Sequence, residues 1–457
     1  MIQSRRLLRA VCLLVLLFAV TGLRDQKAEA EHRAQVFGGE KEPEPSRRDI
    51  FISEKLAIER EVVGAFRNID VPEANEIAVV PNKVSFIFLT MDELALPRVW
   101  DKFFDGADPS RYSIFVHRAK KNLTTAIPLE RFGAIQVPWV QTSWCSLFGV
   151  EVAALAAALQ DPSNTQFVFV SESSVPLKRF QYVYAELVEK SPATSKFCFG
   201  QGARHNHYHA EFVSSITNGI CFFKDFYRRV NPRTLKHHQW AVLSRTHAAA
   251  VLRQSSKALD IYEDSWRKVT PDLKAMPEGC SDESVPITAL LAEIEARDAS
   301  VGNTWGDLTR MGVEQQCLTF VEWRSCFAGS DLEMTNAFSG DVKKVWHSKR
   351  DVMKLLIGKS SGPLMARLKG DLNGFPHTFV TVKMESLRRL VKEGFMFARK
   401  FESKVIVTGD DVDAPPRDIA DVLSELWNDV DEKVSRANVW ARLDTLGKPD
   451  PMGRWGA

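Results

Sequence analysis

Two adjacent carboxylates in the stretch GCSDESVPITALL are the first candidates for chemistry. Asp282 and Glu283 stand in a polar turn that precedes an apolar helical segment. Carboxylates in this position stabilise a helix N-terminus, because they meet the positive end of its dipole. A carboxylate within hydrogen-bond reach can also take the proton of an attacking sugar hydroxyl, and one such base suffices for an inverting transfer. The residues alone leave both interpretations open.

The stretch GFMFARKFES places two cations among aromatic residues. Arg399 and Lys400 lie between Phe397 and Phe401. In an edge segment such basic side chains extend their charged ends into water. On an aromatic frame they can instead neutralise a diphosphate and stabilise charge on a departing nucleotide without a metal ion.

The stretch FVFVSESSVPL ends an apolar strand in a single carboxylate, Glu172, flanked by serines. Many nucleotide-sugar enzymes carry Asp-x-Asp at such a strand end and bind a divalent cation there. One carboxylate beside serines is a poor site for a dication. We therefore expect Glu172 to position or hydrogen-bond the donor.

Other candidate metal ligands are weaker. The segment HNHYH would put its histidines, His205, His207 and His209, on one strand face, but no carboxylate is evident as a second shell. Asp411 and Asp413 match Asp-x-Asp, yet they stand beside two prolines and fit a solvated acidic loop. We predict no metal site.

The N-terminus carries a signal sequence. Three arginines precede the apolar run 10–23. The run is short for a membrane span, which needs about 20 apolar residues. A retained signal-anchor with cytoplasmic arginines and a cleaved secretory peptide, cut near residues 28–30, both stay open, and both place the remainder in the secretory pathway.

Composition supports a globular secretory protein. The 457 residues have a formal net charge of +2 and no basic block, which argues against nucleic-acid binding. Asn122 begins a glycosylation sequon. Six cysteines follow the signal segment, and an even number in an oxidising compartment predicts disulfides. Cys317 and Cys326 are a plausible local pair, although sequence does not fix connectivity.

The order of elements predicts an α/β fold with a mostly parallel sheet flanked by helices. We expect strands at 83–90, 112–117, 134–140, 167–170 and 378–382, and helices at 97–104, 146–160, 239–253, 284–296 and from 386. Ligands on such sheets bind beyond the carboxyl ends of the strands, so Thr90, His117 and Glu172 are expected to border one crevice.

The chain divides into a signal segment, a stem, a core and an extension. Residues 1–23 form the signal segment, and 24–82 a solvated stem that ends in an amphipathic helix over 50–66. Residues 83–408 form the predicted catalytic domain. Residues 409–457 form an acidic and helical extension.

These motifs in this order resemble glycosyltransferase family 14. FIFLT with PRVWDKFF, YSIFVH, LQDPSNTQFVFVSESSVPL, HHQWAVLSR, SDESVPITALL and FMFARKFE, over about residues 84–404, resemble the plant and protist branch related to core-2/I-branching N-acetylglucosaminyltransferases. The resemblance implies a GT-A-like fold and a type II Golgi membrane enzyme. It further implies inverting, metal-independent transfer from a UDP-sugar to a glycan or glycoprotein acceptor.

The resemblance also assigns roles to individual residues. It implies Glu283 as general base, Lys400 on the diphosphate, and Thr90 with His117 where the uridine half binds. Gln239 and Trp240, with Asp282, fall in the segment that borders the acceptor.

Departures from the family pattern leave alternatives open. His377 falls near the place of a second diphosphate-binding arginine. Because histidine is charged only part of the time near neutral pH, diphosphate binding is expected to be weaker or to be shared with Arg399. His117 replaces an acidic residue, and Ser284 a histidine. The donor is expected to be UDP-N-acetylglucosamine, with UDP-xylose or UDP-glucuronic acid as alternatives. A catalytically inactive glycan-binding protein is the other alternative.

Overall fold

The structure, a computed structural model, describes the core of the chain and part of its flanks. The described residues are 47–66, 68–72, 81–121, 123, 125–143, 146–198, 237–267, 280–298, 305–321, 332–335, 342–346, 378–392, 394–409 and 415–429. The signal segment, Asn122, the three histidines of HNHYH, His377, Asp411 and Asp413 lie outside them.

A seven-stranded sheet forms the centre of the molecule. In chain order the strands are β1 Lys83–Thr90, β2 Tyr112–Arg118, β3 Ile135–Gln136, β4 Asn164–Ser171, β5 Val175–Pro176, β6 Ser195–Phe197, β7 Val242–Ser244, β8 Val313–Gln315, β9 Thr319–Val321, β10 Leu332–Thr335, β11 Val342–Trp346, β12 Phe379–Lys383, β13 Phe397–Arg399, β14 Phe401–Thr408 and β15 Arg417–Asp418. The central order is β3-β2-β1-β4-β7-β6-β8. Neighbours are parallel except where β7 pairs with β4 and β6, so the predicted α/β fold with a mostly parallel sheet is confirmed.

Three small sheets accompany the central one. Strand β13 pairs with β5 and β9, β14 pairs with β12 and β15, and β10 pairs with β11. The first of these sheets positions the FARKF segment, because its middle strand is β13.

Helices cover both faces of the central sheet. They are α1 Arg47–Phe66, α2 Pro97–Phe104, α3 Phe148–Ala158, α4 Phe180–Tyr184, α5 Arg245–Arg267, α6 Val285–Arg297, α7 Trp305–Met311, α8 Met384–Lys392 and α9 Ile419–Asp429. Successive side chains of a strand point to opposite faces. Accordingly Ile87 and Leu89 pack into one core with α1, α3, α5 and α6. Phe86 and Phe88 pack into a second core with α2, α4, α8 and α9.

Most predicted elements are present, with different ends. Strand β1 and helix α2 have their predicted bounds. The predicted strand at 134–140 is reduced to two residues, Ile135–Gln136. The helix expected from residue 239 is wrong at its start, because Val242–Ser244 is a strand paired with β4 and the helix begins at Arg245.

The disulfide Cys198–Cys317 spans 119 residues of sequence. The expected local pair of Cys317 with Cys326 is therefore wrong. The bond joins the segment after β6 to the segment before β9, so it ties the central sheet to the sheet that holds β13.

Among the described helices, none combines the length and apolar character that crossing a bilayer requires.

Candidate active site

A serine-lined turn presents Glu172 at the carboxyl end of β4. The hydroxyls of Ser171 and Ser174 lie 2.9 Å apart, and the Ser171 N–H donates to Ser174 Oγ at 3.1 Å. The backbone of Glu172 is also fixed, since its carbonyl accepts from the Ala95 N–H at 2.9 Å. The turn thus holds the Glu172 side chain, which is partly exposed, at the sheet edge where α/β proteins bind ligands.

The FARKF segment lies directly beside this turn. Strand β13 pairs antiparallel with β5, which follows the turn, and the Phe401 N–H donates to the Ser173 carbonyl at 3.0 Å. On the other side, the Lys400 carbonyl accepts from the Phe379 N–H at 2.7 Å. The backbone therefore brings Arg399 and Lys400 next to Glu172, although more than 220 residues separate them in sequence.

The guanidinium of Arg399 lies over the indole of Trp240, with Cζ 4.3 Å from the ring centroid. Burial lowers the pKa of Arg399 to about 10, although the nearby carboxylates of Glu172 and Asp282 act in the opposite direction. The side chain thus stays protonated at neutral pH. Within the described part of the chain, its buried Nε has no hydrogen-bond partner, so at least one donor of the guanidinium is unsatisfied.

The turn with Asp282 and Glu283 is buried and ordered by backbone bonds. Residues Ser281–Glu283 form a 3₁₀ turn before helix α6, and both carboxylate residues are buried. The N-cap residue, Ser284, makes no side-chain capping bond to the helix. The charges of Asp282 and Glu172 both act on Arg399, so this turn lies near the Glu172 turn.

The segment before β7 bonds to the Asp282–Glu283 turn and to the end of β6. The His237 N–H donates to the Glu283 carbonyl at 2.7 Å, and the His238 N–H donates to the Cys198 carbonyl at 2.8 Å. Gln239 and the buried Trp240 follow in the chain. Among the described residues, the buried Gln239 Nε2 has no acceptor.

Thr90 and His117 form a bonded pair at the ends of β1 and β2. Thr90 Oγ1 donates to the His117 carbonyl at 3.0 Å. His117 Nε2 lies 3.1 Å from the Val140 carbonyl oxygen and 3.2 Å from its nitrogen. Burial lowers the pKa of His117 to about 4, so the ring is neutral near pH 7. It joins β2 to the loop around Val140 as a neutral side chain.

Two buried acids at this site have no counterpart in the sequence-based prediction. Glu151, on α3, has a pKa well above the usual range because of burial and the neighbouring carboxylates of Asp282 and Glu59. Glu59, on α1, accepts a hydrogen bond from Ser281. Glu151 is the single charged residue in the apolar run FGVEVAALAAA, and this isolation is the sequence signal that could have identified it.

The structure thus brings together Glu172, Trp240, Asp282 and Arg399, with Glu283 and Lys400 adjacent to them in sequence. In the described residues, no group of three or more histidine, cysteine or carboxylate side chains is arranged to hold a metal ion. The charged groups that the site does offer are two cations and several carboxylates.

Residues 84–324 match the family model described as "Branch: Core-2/I-Branching enzyme". This segment is more than half of the chain. The chain belongs to the core-2/I-branching enzyme family. The matched segment includes Trp240 and the Asp282–Glu283 turn, whereas Glu59 precedes it and Arg399 and Lys400 follow it.

A plant relative extends the comparison. This core-2/I-branching family member is 31% identical over 228 residues to "Glycosyltransferase BC10" of Oryza sativa subsp. japonica, which is 48% of this chain and 51% of the rice protein. The chain thus spans about half the length of that curated relative.

Two solved structures compared with this chain are distant from it. Glucosyl-3-phosphoglycerate synthase from Mycobacterium tuberculosis, solved with Mn²⁺, UDP and glucosyl-3-phosphoglycerate, is 11% identical with a TM-score of 0.22, covering 62% of this chain and 91% of that one. The same enzyme solved with Mn²⁺ and UDP-glucose gives 10% and 0.21, covering 62% and 89%. Superposition at this level carries no functional information.

Proposed function

We propose that this protein is an inverting glycosyltransferase that moves a sugar, N-acetylglucosamine in the first instance, from a UDP-sugar to a glycan hydroxyl. The observation that carries the proposal is the Arg399 guanidinium held on Trp240 beside Glu172 and Asp282. It is a preorganised cation at the strand edge where an anionic nucleotide is expected. The rice relative's name, a glycosyltransferase, agrees with this chemistry.

The proposed reaction is a single displacement. The oxygen of the acceptor hydroxyl forms a bond to the anomeric carbon from the face opposite UDP. The bond between that carbon and the β-phosphate oxygen breaks, and its electron pair leaves with UDP. The hydroxyl proton passes to the Glu283 carboxylate, which acts as general base. Asp282 and Gln239 border the acceptor in this arrangement.

The leaving diphosphate is the part of the reaction that needs positive charge. Lys400 and Arg399 are adjacent, and Arg399 sits in a partly dry environment where a charge interaction is stronger than in water. These two cations supply the stabilisation that a divalent ion supplies in other nucleotide-sugar enzymes. We therefore propose that transfer requires no divalent metal, and that Glu172 positions the donor.

The proposed cellular setting is the Golgi lumen, with a GT-A-like catalytic domain anchored as a type II membrane protein. The apolar run behind an arginine cluster supports the anchor. The disulfide Cys198–Cys317 supports an oxidising compartment.

The proposal is tested by UDP release from the purified full-length chain with UDP-N-acetylglucosamine, UDP-xylose and UDP-glucuronic acid, each with and without a glycan acceptor library. Release that depends on acceptor and persists in excess EDTA is the expected result. Loss of activity in EDTA, restored by Mn²⁺, would contradict the metal-independent mechanism. Glycan binding without UDP release from any donor would identify an inactive binding protein instead.

A further inference from the structure

Helix α1 precedes the segment that matches the family, yet it packs inside the core. Its residues Leu56 and Val63 are fully buried, and it contacts α3 and α5. At Gly149 of α3, an added Cβ would lie 3.5 Å from the Glu59 Cα. The two helices are therefore in van der Waals contact at the position of Glu59.

Glu59 connects this helix to the catalytic turn. Its side chain is 2% exposed, and its Oε1 accepts a hydrogen bond of 2.5 Å from the equally buried Ser281 Oγ. The two residues are 222 positions apart in sequence. A carboxyl group this deeply buried is costly unless polar partners satisfy it, so the bond fixes both partners strongly.

The contact continues into the candidate site. Ser281 directly precedes Asp282 and Glu283 within one 3₁₀ turn. Glu151 of α3 is 2% exposed and interacts electrostatically with both Glu59 and Asp282. Asp282 in turn interacts with Arg399. Electrostatic interactions thus connect the buried acids beside α1 with the cation on Trp240.

We propose that Glu59 is a positioning residue, which sets the orientation of the Asp282–Glu283 turn through its hydrogen bond to Ser281. Helix α1 then contributes a residue that orients the site, although it lies outside the matched segment. The effect of Glu59 on the order of the turn does not depend on the proposed transferase function. Its effect on turnover rests on that function.

The effect of Glu59 on the order of the turn is tested by amide hydrogen exchange on the full-length protein. Glu59→Ala is expected to accelerate exchange of the Glu283 and Ser284 amides about tenfold or more, as expected for loss of a hydrogen bond to a buried ionisable group. Glu59→Gln keeps an oxygen acceptor at the same reach and should restore slow exchange. Glu61→Ala, at an exposed position of the same helix, is the matched control and should leave exchange unchanged.

Exchange in strand β1 reports global stability in the same experiment. Acceleration confined to the turn supports positioning. Equal acceleration in β1 and the turn, or no acceleration at all, overturns the inference. Should Glu59→Ala fail to fold, Ser281→Ala removes the same bond from the other side and is judged by the same criteria.

Turnover then decides whether the positioning matters for transfer. Glu59→Ala should lower kcat about tenfold or more with the donor KM unchanged, and Glu59→Gln should recover most of it. A looser turn with wild-type kcat overturns the positioning role. If the wild-type protein transfers no sugar at all, the proposed function fails, and the exchange experiment still decides whether Glu59 holds the turn.

Discussion

Arg399 lies over the face of Trp240, 4.3 Å from the ring centroid, and joins two segments that are distant in the chain. Cation–π contacts contribute about 0.5–2 kcal/mol, more when the pair is desolvated. Trp240 therefore orients the guanidinium of Arg399.

Removing the indole should disorder this cation. Trp240→Ala is expected to weaken UDP binding about threefold to thirtyfold, and Trp240→Phe by less, since a ring remains. Isothermal titration with UDP measures both. Arg111→Ala, which removes a similar contact over Tyr184, is the control and should bind UDP normally. Equal affinity in the wild type and Trp240→Ala would show that the pair has no part in binding.

Lys400→Ala should weaken UDP binding about tenfold or more relative to the wild type, because a charge-assisted contact to phosphate is lost. The exposed Lys404 in β14 provides the matched control, and Lys404→Ala should change nothing. The same titration checks both variants. An affinity loss shared by the two variants would point to general electrostatics instead of a specific contact.

The sequence predicts strongly patterned elements better than short apolar runs. Strands and helices with clear apolar patterns, such as β1 and α2, have their predicted bounds, because burial on one or both faces decides their residue types. The segment Val242–Ser244, which the sequence predicts to be helical, is a strand paired with β4. A short apolar run suits either state, and only the neighbouring strand decides.

The chemistry of Glu59 and Glu151 could not be inferred from the sequence. In IEREVV and FGVEVAALAAA these glutamates stand on predicted helical segments, where a solvated side chain is the usual expectation. Both side chains are buried, and Glu59 accepts a hydrogen bond from Ser281, an arrangement that depends on tertiary packing. The pairing of Cys198 with Cys317 is unpredictable for the same reason.

Glu151 should make the protein less stable as pH rises from acid towards neutral. Its folded pKa is raised, so above the unfolded value of about 4.5 the unfolded chain loses this proton while the folded chain keeps it. Glu151→Gln removes this effect. The stability of Glu151→Gln relative to wild type should grow with pH, by at most about 1.4 kcal/mol per unit.

Denaturant unfolding of both proteins at about pH 5 and about pH 7.5 measures that difference. Glu61→Gln, at an exposed site, serves as control and should differ from wild type equally at the two values. A difference between wild type and Glu151→Gln that does not change with pH would contradict a buried neutral acid.

His117 should make the protein less stable as pH falls, the opposite of the effect of Glu151. Its folded pKa of about 4 lies below the unfolded value of 6.5, so acidification protonates the unfolded chain first. Wild-type stability should fall as pH drops from about 6.5 to about 4, by up to about 3 kcal/mol from this group. His117→Gln should show a shallower fall.

His247 provides a comparison for that experiment. It is buried and also has a lowered pKa, because of burial, so His247→Gln should flatten the same stability profile. Only His117→Gln is expected to weaken UDP binding, since His117 is the residue expected near the uridine. Equal UDP affinity in the two variants would remove His117 from the nucleotide site.

The central claim is that one carboxylate activates the acceptor while fixed cations hold UDP, and Glu283→Gln tests it most directly. UDP affinity should stay at the wild-type value, because the amide keeps the size of the side chain and the cations are intact. Turnover should fall by at least about a hundredfold, as expected for loss of a positioned general base. Wild-type turnover in Glu283→Gln, with folding and UDP binding intact, would contradict the account.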